Sequence, residues 1–173
     1  MRYADDFVIM ARYIGPQIRS FTESLLEGRF GLKINRDKTR VVKLRSDEAG
    51  ESLDFLGYTF RYDKDRQGRS HRYLNLFPSK KALERERQKL WEMTGPKMCF
   101  KPAWGLIAEI NRHLRGWANY FNRGYPRHEF RQINAYVRER LTRHLKRRSQ
   151  RPYRPSKGVT WYAQLHRLGL AYL

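Results

Sequence analysis

Apolar residues at Trp104, Ile107, Ile110, Leu114, Trp117 and Phe121 recur every three or four positions. That is the spacing of one face of an α-helix. Phe130, Ile133, Val137, Leu141 and His144 repeat it, so a second long helix is expected from about Arg127 to Arg147. These two amphipathic segments constrain the second half of the chain to a helical layer. An earlier helix is expected to start at Pro78-Ser79, carry Leu83 and Leu90 on one side, and stop at Gly95-Pro96. A short last helix has Trp161, Leu165 and Leu168 to dock it.

The charge is concentrated in the same region. Of a net +20, residues 61–173 hold 27 Lys and Arg against 8 Asp and Glu, a net of +19. Residues 1–60 hold 10 against 9, a net of +1. A surface this basic repels itself unless it meets a polyanion, and nucleic acid is the leading candidate. Between residues 110 and 157 the only acids are Glu129 and Glu139. Pairing at i and i+4 therefore leaves most of the cations without partners. Arg112, Arg115, Arg123, Arg131, Arg138, Arg143, Lys146, Arg147 and Arg148 are the candidate phosphate contacts, with solvated helix faces as the plainer alternative. Tyr125 and Tyr153, in basic loops, are candidates for stacking on unpaired bases. The single cysteine, Cys99, excludes an intramolecular disulfide, and His71, His113, His128, His144 and His166 show no ligand spacing. No stretch approaches the ~20 apolar residues of a membrane span, so a soluble, cytoplasmic protein is expected.

The nearly neutral first third reads differently. Tyr3 to Tyr13 suggests a β-hairpin turning at Asp5-Asp6, with Phe7 to Met10 as a short buried strand. Adjacent aspartates in a turn are commonly just solvated. They also suit divalent cations, because hard Mg²⁺ takes oxygen ligands and two-metal nucleotidyl transfer needs carboxylates. Pro16 opens a helical stretch with Ile18, Phe21 and Leu25, ending near Gly28 or Gly31. Residues 32–44 look extended, and 53–62 with 72–77 flank a polar loop as in a second hairpin. The expected fold is α+β, with antiparallel hairpins and one helix followed by an all-helical part. The expected divisions are 1–77, 78–147, and 148–173 as a basic linker with a short terminal helix.

Tyr3-Ala4-Asp5-Asp6, then Gly31-Leu32-Lys33-Ile34-Asn35-Arg36-Asp37-Lys38-Thr39, then Phe55-Leu56-Gly57, then Ile110-Asn111-x-x-Leu114-Arg115-Gly116-Trp117-x-x-Tyr120-Phe121 form an ordered series. In that order they resemble reverse transcriptases encoded by group II introns, over nearly the whole chain. The resemblance implies that residues 1–77 are the later part of a polymerase palm, with Asp5 and Asp6 as catalytic aspartates and Mg²⁺ ligands. It makes Lys38 and Gly57 candidate nucleic-acid contacts, with a turn glycine as the alternative at Gly57. It implies a helical thumb, the maturase-specific region, from residue 78 onward. The partners implied are group II intron RNA or an RNA/DNA template-primer.

One departure bears on chemistry. The family draws another metal-binding aspartate, its fingers and its nucleotide pocket from sequence ahead of the Tyr-Ala-Asp-Asp turn, and this chain begins at that turn. No polymerase activity is expected of the chain alone, and an N-terminal reverse-transcriptase half in trans is a candidate partner. The competing reading is a non-enzymatic RNA-binding maturase module with a relic Asp-Asp turn. A hairpin without its neighbouring strand leaves an apolar edge, for which self-association is expected.

Overall fold

The computed structural model describes residues 2–3, 6–44, 51–65, 71–151 and 153–173, with the side chains of Arg2, Tyr3 and Asp6 outside that description. The chain divides into two compact units, residues 1–43 and 44–173. The 77/78 junction lies inside the second unit, so the sheet and the long helices belong together. The fold is α+β, as the sequence implies.

In the first unit, β1 (Arg2–Tyr3) and β2 (Asp6–Phe7) pair antiparallel with Arg2 opposite Phe7 and Tyr3 opposite Asp6. Helix α1 (Pro16–Glu23) starts with proline in its first turn and runs into a wider π-helical stretch, Ser24–Arg29. Residues 31–44 carry no ladder and turn at 36–38. Phe7 to Met10 do not form the expected buried strand. Regular pairing stops at Phe7, and Ile9 and Met10 are exposed, Met10 by 73%. The cause is size: a unit of 43 residues is near the limit below which a chain rarely builds its own core, and neither α1 nor the π-helical stretch contains a buried residue.

The second unit begins with a three-stranded antiparallel sheet, β3 (Leu53–Phe55), β4 (Tyr58–Lys64) and β5 (Arg72–Pro78), in the order β3-β4-β5. Phe55 pairs with Tyr58, so Leu56 and Gly57 alone make the β3–β4 turn, both at positive φ, 50° and 79°. Such two-residue turns match the twist of the strands they join. Helix α2 (Lys80–Met93) follows at once, with the Ser79 hydroxyl accepting from the Ala82 amide at 3.2 Å as its N-cap. Helices α3 (Ala103–Tyr120), α4 (Arg127–Arg147) and α5 (Trp161–Arg167) complete the unit.

The core is helical. Leu83 and Leu90 of α2, Leu106, Ile107, Ile110 and Leu114 of α3, and Ile133, Val137, Leu141 and Leu145 of α4 form one cluster with Leu165 and Leu170. Trp104, expected at the head of the α3 apolar face, is instead 73% exposed, and Leu106 takes the inward place. At 3.6 residues per turn Trp104 falls outside the arc that carries Ala103, Leu106, Ile107, Ile110 and Leu114 into the core, and so faces outward.

Two asparagines bind the C-terminal segment across the bundle. The Asn111 amide nitrogen donates to the Gly169 carbonyl at 2.7 Å, and its oxygen accepts from the Ala171 amide at 3.0 Å. Asn134 pairs in the same two ways with Leu173, at 2.9 and 3.0 Å. Each side chain satisfies two backbone groups that would otherwise lose their hydrogen bonds against the bundle.

Candidate nucleic-acid interface

Whether a cation can meet phosphate depends first on what already holds it. Helix α2 ends at Thr94, and like any helix it leaves its last carbonyls without partners and partially negative. Three side chains of α4, at i, i+4 and i+7, converge there. The Arg140 guanidinium donates to the Thr94 hydroxyl at 3.0 Å and to the Trp91 carbonyl at 3.4 Å. The Arg147 guanidinium donates to the Thr94 carbonyl at 2.5 Å. His144 Nδ1 lies 3.3 Å from the same carbonyl, which only accepts, so Nδ1 carries the proton. Burial pushes the His144 pKa below the usual imidazole value, and Arg147, Arg148 and Arg140 push it further the same way. His144 is neutral and belongs to the core.

Arg140 is therefore 8% exposed and structural, unlike the other arginines of α4, which are exposed. Arg147 is exposed but hydrogen-bonded at the α2 end, and Arg143 pairs with Glu139 one turn earlier at 2.5 Å. Arg112 and Arg115 on α3, Arg123 beyond its end, Arg131 and Arg138 on α4, and Arg148 after it are exposed. No carboxylate pairs with any of these six among the described residues.

Arg138, Arg143 and Lys146 also share an open groove of about 750 Å³ with Arg87 of α2, Tyr136 of α4 and Trp161 of α5. The Lys146 ammonium stands 5.7 Å from the centre of the Trp161 ring, and the Arg87 guanidinium donates to Gln132 Oε1 at 2.7 Å. Cations beside aromatic walls suit a phosphodiester chain with unpaired bases. Arg87 is not found by reading the sequence locally, because the groove joins it to Gln132, 45 positions away.

The two tyrosines differ from one another. Tyr125 is 64% exposed and packs edge-on against Tyr73 at 5.3 Å. Tyr153 is half-buried against Trp161, packs on the core cluster, and its hydroxyl accepts from the Gln164 amide. That placement keeps Tyr153 in a loop but leaves it less exposed than Tyr125. Among the described residues its linker has no helix or strand, yet Tyr153 anchors it onto α5.

Gly57 is exposed, and its turn is held by the helical layer. The Ser79 amide donates to the Gly57 carbonyl at 2.8 Å, the Tyr120 hydroxyl donates to the Leu56 carbonyl at 2.8 Å, and the Tyr58 hydroxyl donates back to the Tyr120 carbonyl. A Cβ at Gly57 would stand 3.4 Å from the Phe121 ring. The Phe-Leu-Gly and Trp-x-x-Tyr-Phe motifs, far apart in sequence, thus meet in one contact.

Lys38 is exposed in the 36–38 turn of the first unit, where its amide donates to Asn35 Oδ1 at 3.2 Å. Asp5 and the side chain of Asp6 lie outside the described residues. Among the described residues, no group of three or more His, Cys, Asp and Glu side chains assembles for a metal, and no helix is long and apolar enough to cross a membrane.

Residues 83–162 match the family model of the group II intron, maturase-specific domain. No curated protein matches the chain. The match runs from Leu83 in α2 to Tyr162 in α5, and includes the α2 end, the groove and every arginine discussed above. The match supports the chain's resemblance to a fragment of a group II intron maturase.

Proposed function

We propose that this protein binds group II intron RNA through the exposed cations of α3, α4 and their flanking loops, and that this binding assists splicing. The observation that carries the reading is the set of six exposed arginines that have no carboxylate partner among the described residues, all inside the matched domain. Cations released from intramolecular pairing exchange small counterions for phosphates, which drives association with a polyanion. RNA adds 2′-hydroxyls, unstacked loops and irregular shape, which a groove with both Lys146 and Trp161 is equipped to meet.

Reverse-transcriptase ancestry of residues 1–77 belongs to the same proposal and rests on motif order. Asp5 and Asp6 are its proposed Mg²⁺ ligands, and a bound ion would supply charge stabilisation for nucleotidyl transfer. Lys38 and Gly57 are its proposed contacts to template or primer.

The test is a splicing reaction with a group II intron precursor and the purified protein. Acceleration that survives Asp5→Ala with Asp6→Ala, but falls about tenfold or more with Arg112, Arg115, Arg131 and Arg138 changed to Gln, supports RNA binding as the working activity. Unaltered splicing by the arginine variant overturns that assignment. Primer extension that depends on the aspartates, with or without an added N-terminal half, would make the protein a polymerase as well.

A further inference from the structure

Phe100 and Trp104 are the two most conspicuous side chains that neither the fold nor the groove explains. They are 77% and 73% exposed, whereas Trp117 packs at 4.8 Å from Phe121, and Trp161 lies against Tyr153. They lie on the connection from α2 to α3, which hydrogen bonds hold in shape. A 3₁₀ turn spans Pro96–Met98, the Met98, Cys99 and Lys101 amides donate to the Gly95, Pro96 and Met98 carbonyls, and Pro102 immediately precedes α3 as its N-cap residue. Two aromatic faces are thus presented to solvent on a fixed support, which lowers the ordering entropy that binding would otherwise cost.

Charge around them selects the occupant. Positions 104, 108, 112 and 115 advance by four, four and three, so Trp104 and Ala108 share the outer stripe of α3 with Arg112 and Arg115, and all four are exposed. Eleven residues of helix span roughly 16 Å, on the order of four or five phosphate spacings along one strand. Exposed Lys97 stands at the aromatic end. Glu109, the nearest acid in sequence, is already paired with Lys101 at 2.7 Å. An uncommitted cationic stripe ending in two open rings is complementary to an anionic strand with free bases.

We propose that Phe100 and Trp104 form a stacking platform for unpaired nucleotides of RNA whose phosphates run along the Arg112–Arg115 stripe of α3. The platform rests on the RNA-binding reading above and adds to it a preference for RNA with single-stranded segments. Every base has a π face, so the platform selects strandedness over sequence.

The experiment uses the full chain and two RNAs, a blunt duplex of about 20 base pairs and the same duplex with a six-nucleotide single-stranded extension, chosen to cover the stripe. The unaltered protein is expected to prefer the extended RNA. Phe100→Ala with Trp104→Ala is expected to lose about tenfold in affinity for the extended RNA and to leave duplex affinity unchanged. Phe100→Tyr with Trp104→Tyr, which keeps two rings, is expected to retain the preference. Unchanged preference in the alanine variant overturns the platform while leaving RNA binding in place. Equal loss on both RNAs also overturns it, because stacking on unpaired bases cannot account for a duplex effect. Failure of the unaltered protein to bind either RNA overturns the RNA reading itself. Vesicles containing anionic lipid are the control surface, and binding to them that needs Phe100 and Trp104, without RNA preference, assigns the rings to a membrane and overturns the platform.

Discussion

The basic residues of α4 divide by what they touch. Arg140 holds the Thr94 hydroxyl and the Trp91 carbonyl, while Arg131 and Arg138 face solvent. Arg140→Met is therefore expected to destabilise the protein by about 1–3 kcal/mol, since it leaves buried acceptors unsatisfied. RNA affinity of the folded fraction is expected to stay unchanged. Arg138→Gln is expected to do the reverse, and urea denaturation with RNA titration separates the two. His144 makes the same junction sensitive to pH. Its folded pKa is lowered, so at neutral pH both folded and unfolded states hold it uncharged. As pH falls through about 6.5 the unfolded chain takes up a proton that the folded state refuses. Stability should then decline toward the folded pKa, more steeply than in His144→Gln. Parallel pH profiles for the two proteins would contradict this assignment.

At the scale of elements, the sheet is fastened to the helices at two points. One is the Leu56–Gly57 turn under Tyr120, and the other is the α3–α4 corner against β5. At that corner the Tyr125 amide donates to the Leu76 carbonyl at 3.2 Å, and Gly124 has φ of 75°. A Cβ at Gly124 would fall 2.3 Å from the Leu76 carbonyl oxygen, so Gly124→Ala must move the corner off the strand. It is expected to cost more than Tyr120→Phe, which removes one hydrogen bond worth about 1 kcal/mol. Thermal unfolding of the two variants ranks them. Asn111→Ala is expected to speed amide exchange in residues 169–173 while leaving α3 protected, because the Asn111 hydrogen bonds tie down only the C-terminal segment.

Across the whole molecule, the parts legible in the sequence are those governed by local spacing. Ile107, Ile110 and Leu114, like Ile133, Val137 and Leu141, face inward as their periodicity requires, and Ser79 caps α2 as its position after a proline suggests. Errors arise where the environment depends on distant chain. Trp104 fits simple three-and-four counting, yet the true helical repeat of 3.6 places it on the outer stripe with Arg112 and Arg115. Arg140 looks like one more surface arginine until the end of α2 is placed beside it. Tyr153 lies in a loop as it reads, but nothing local announces that its hydroxyl meets Gln164. Phe7 to Met10 have strand composition, but a 43-residue unit does not bury them.

Charge is legible as a total and as a gradient along the chain, while its availability is not. The structure separates Arg112, Arg115, Arg123, Arg131, Arg138 and Arg148 from Arg140, Arg143 and Arg147, which already have partners. The salt dependence of intron RNA binding tests that separation most directly. Every phosphate left without its arginine should flatten the slope of log affinity against log salt by about 0.7–0.9. Changing Arg112, Arg115, Arg131 and Arg138 together to Gln is expected to flatten it by roughly 3, with thermal stability retained. A slope identical to that of the unaltered protein would contradict the claim that these exposed arginines are the RNA-binding surface.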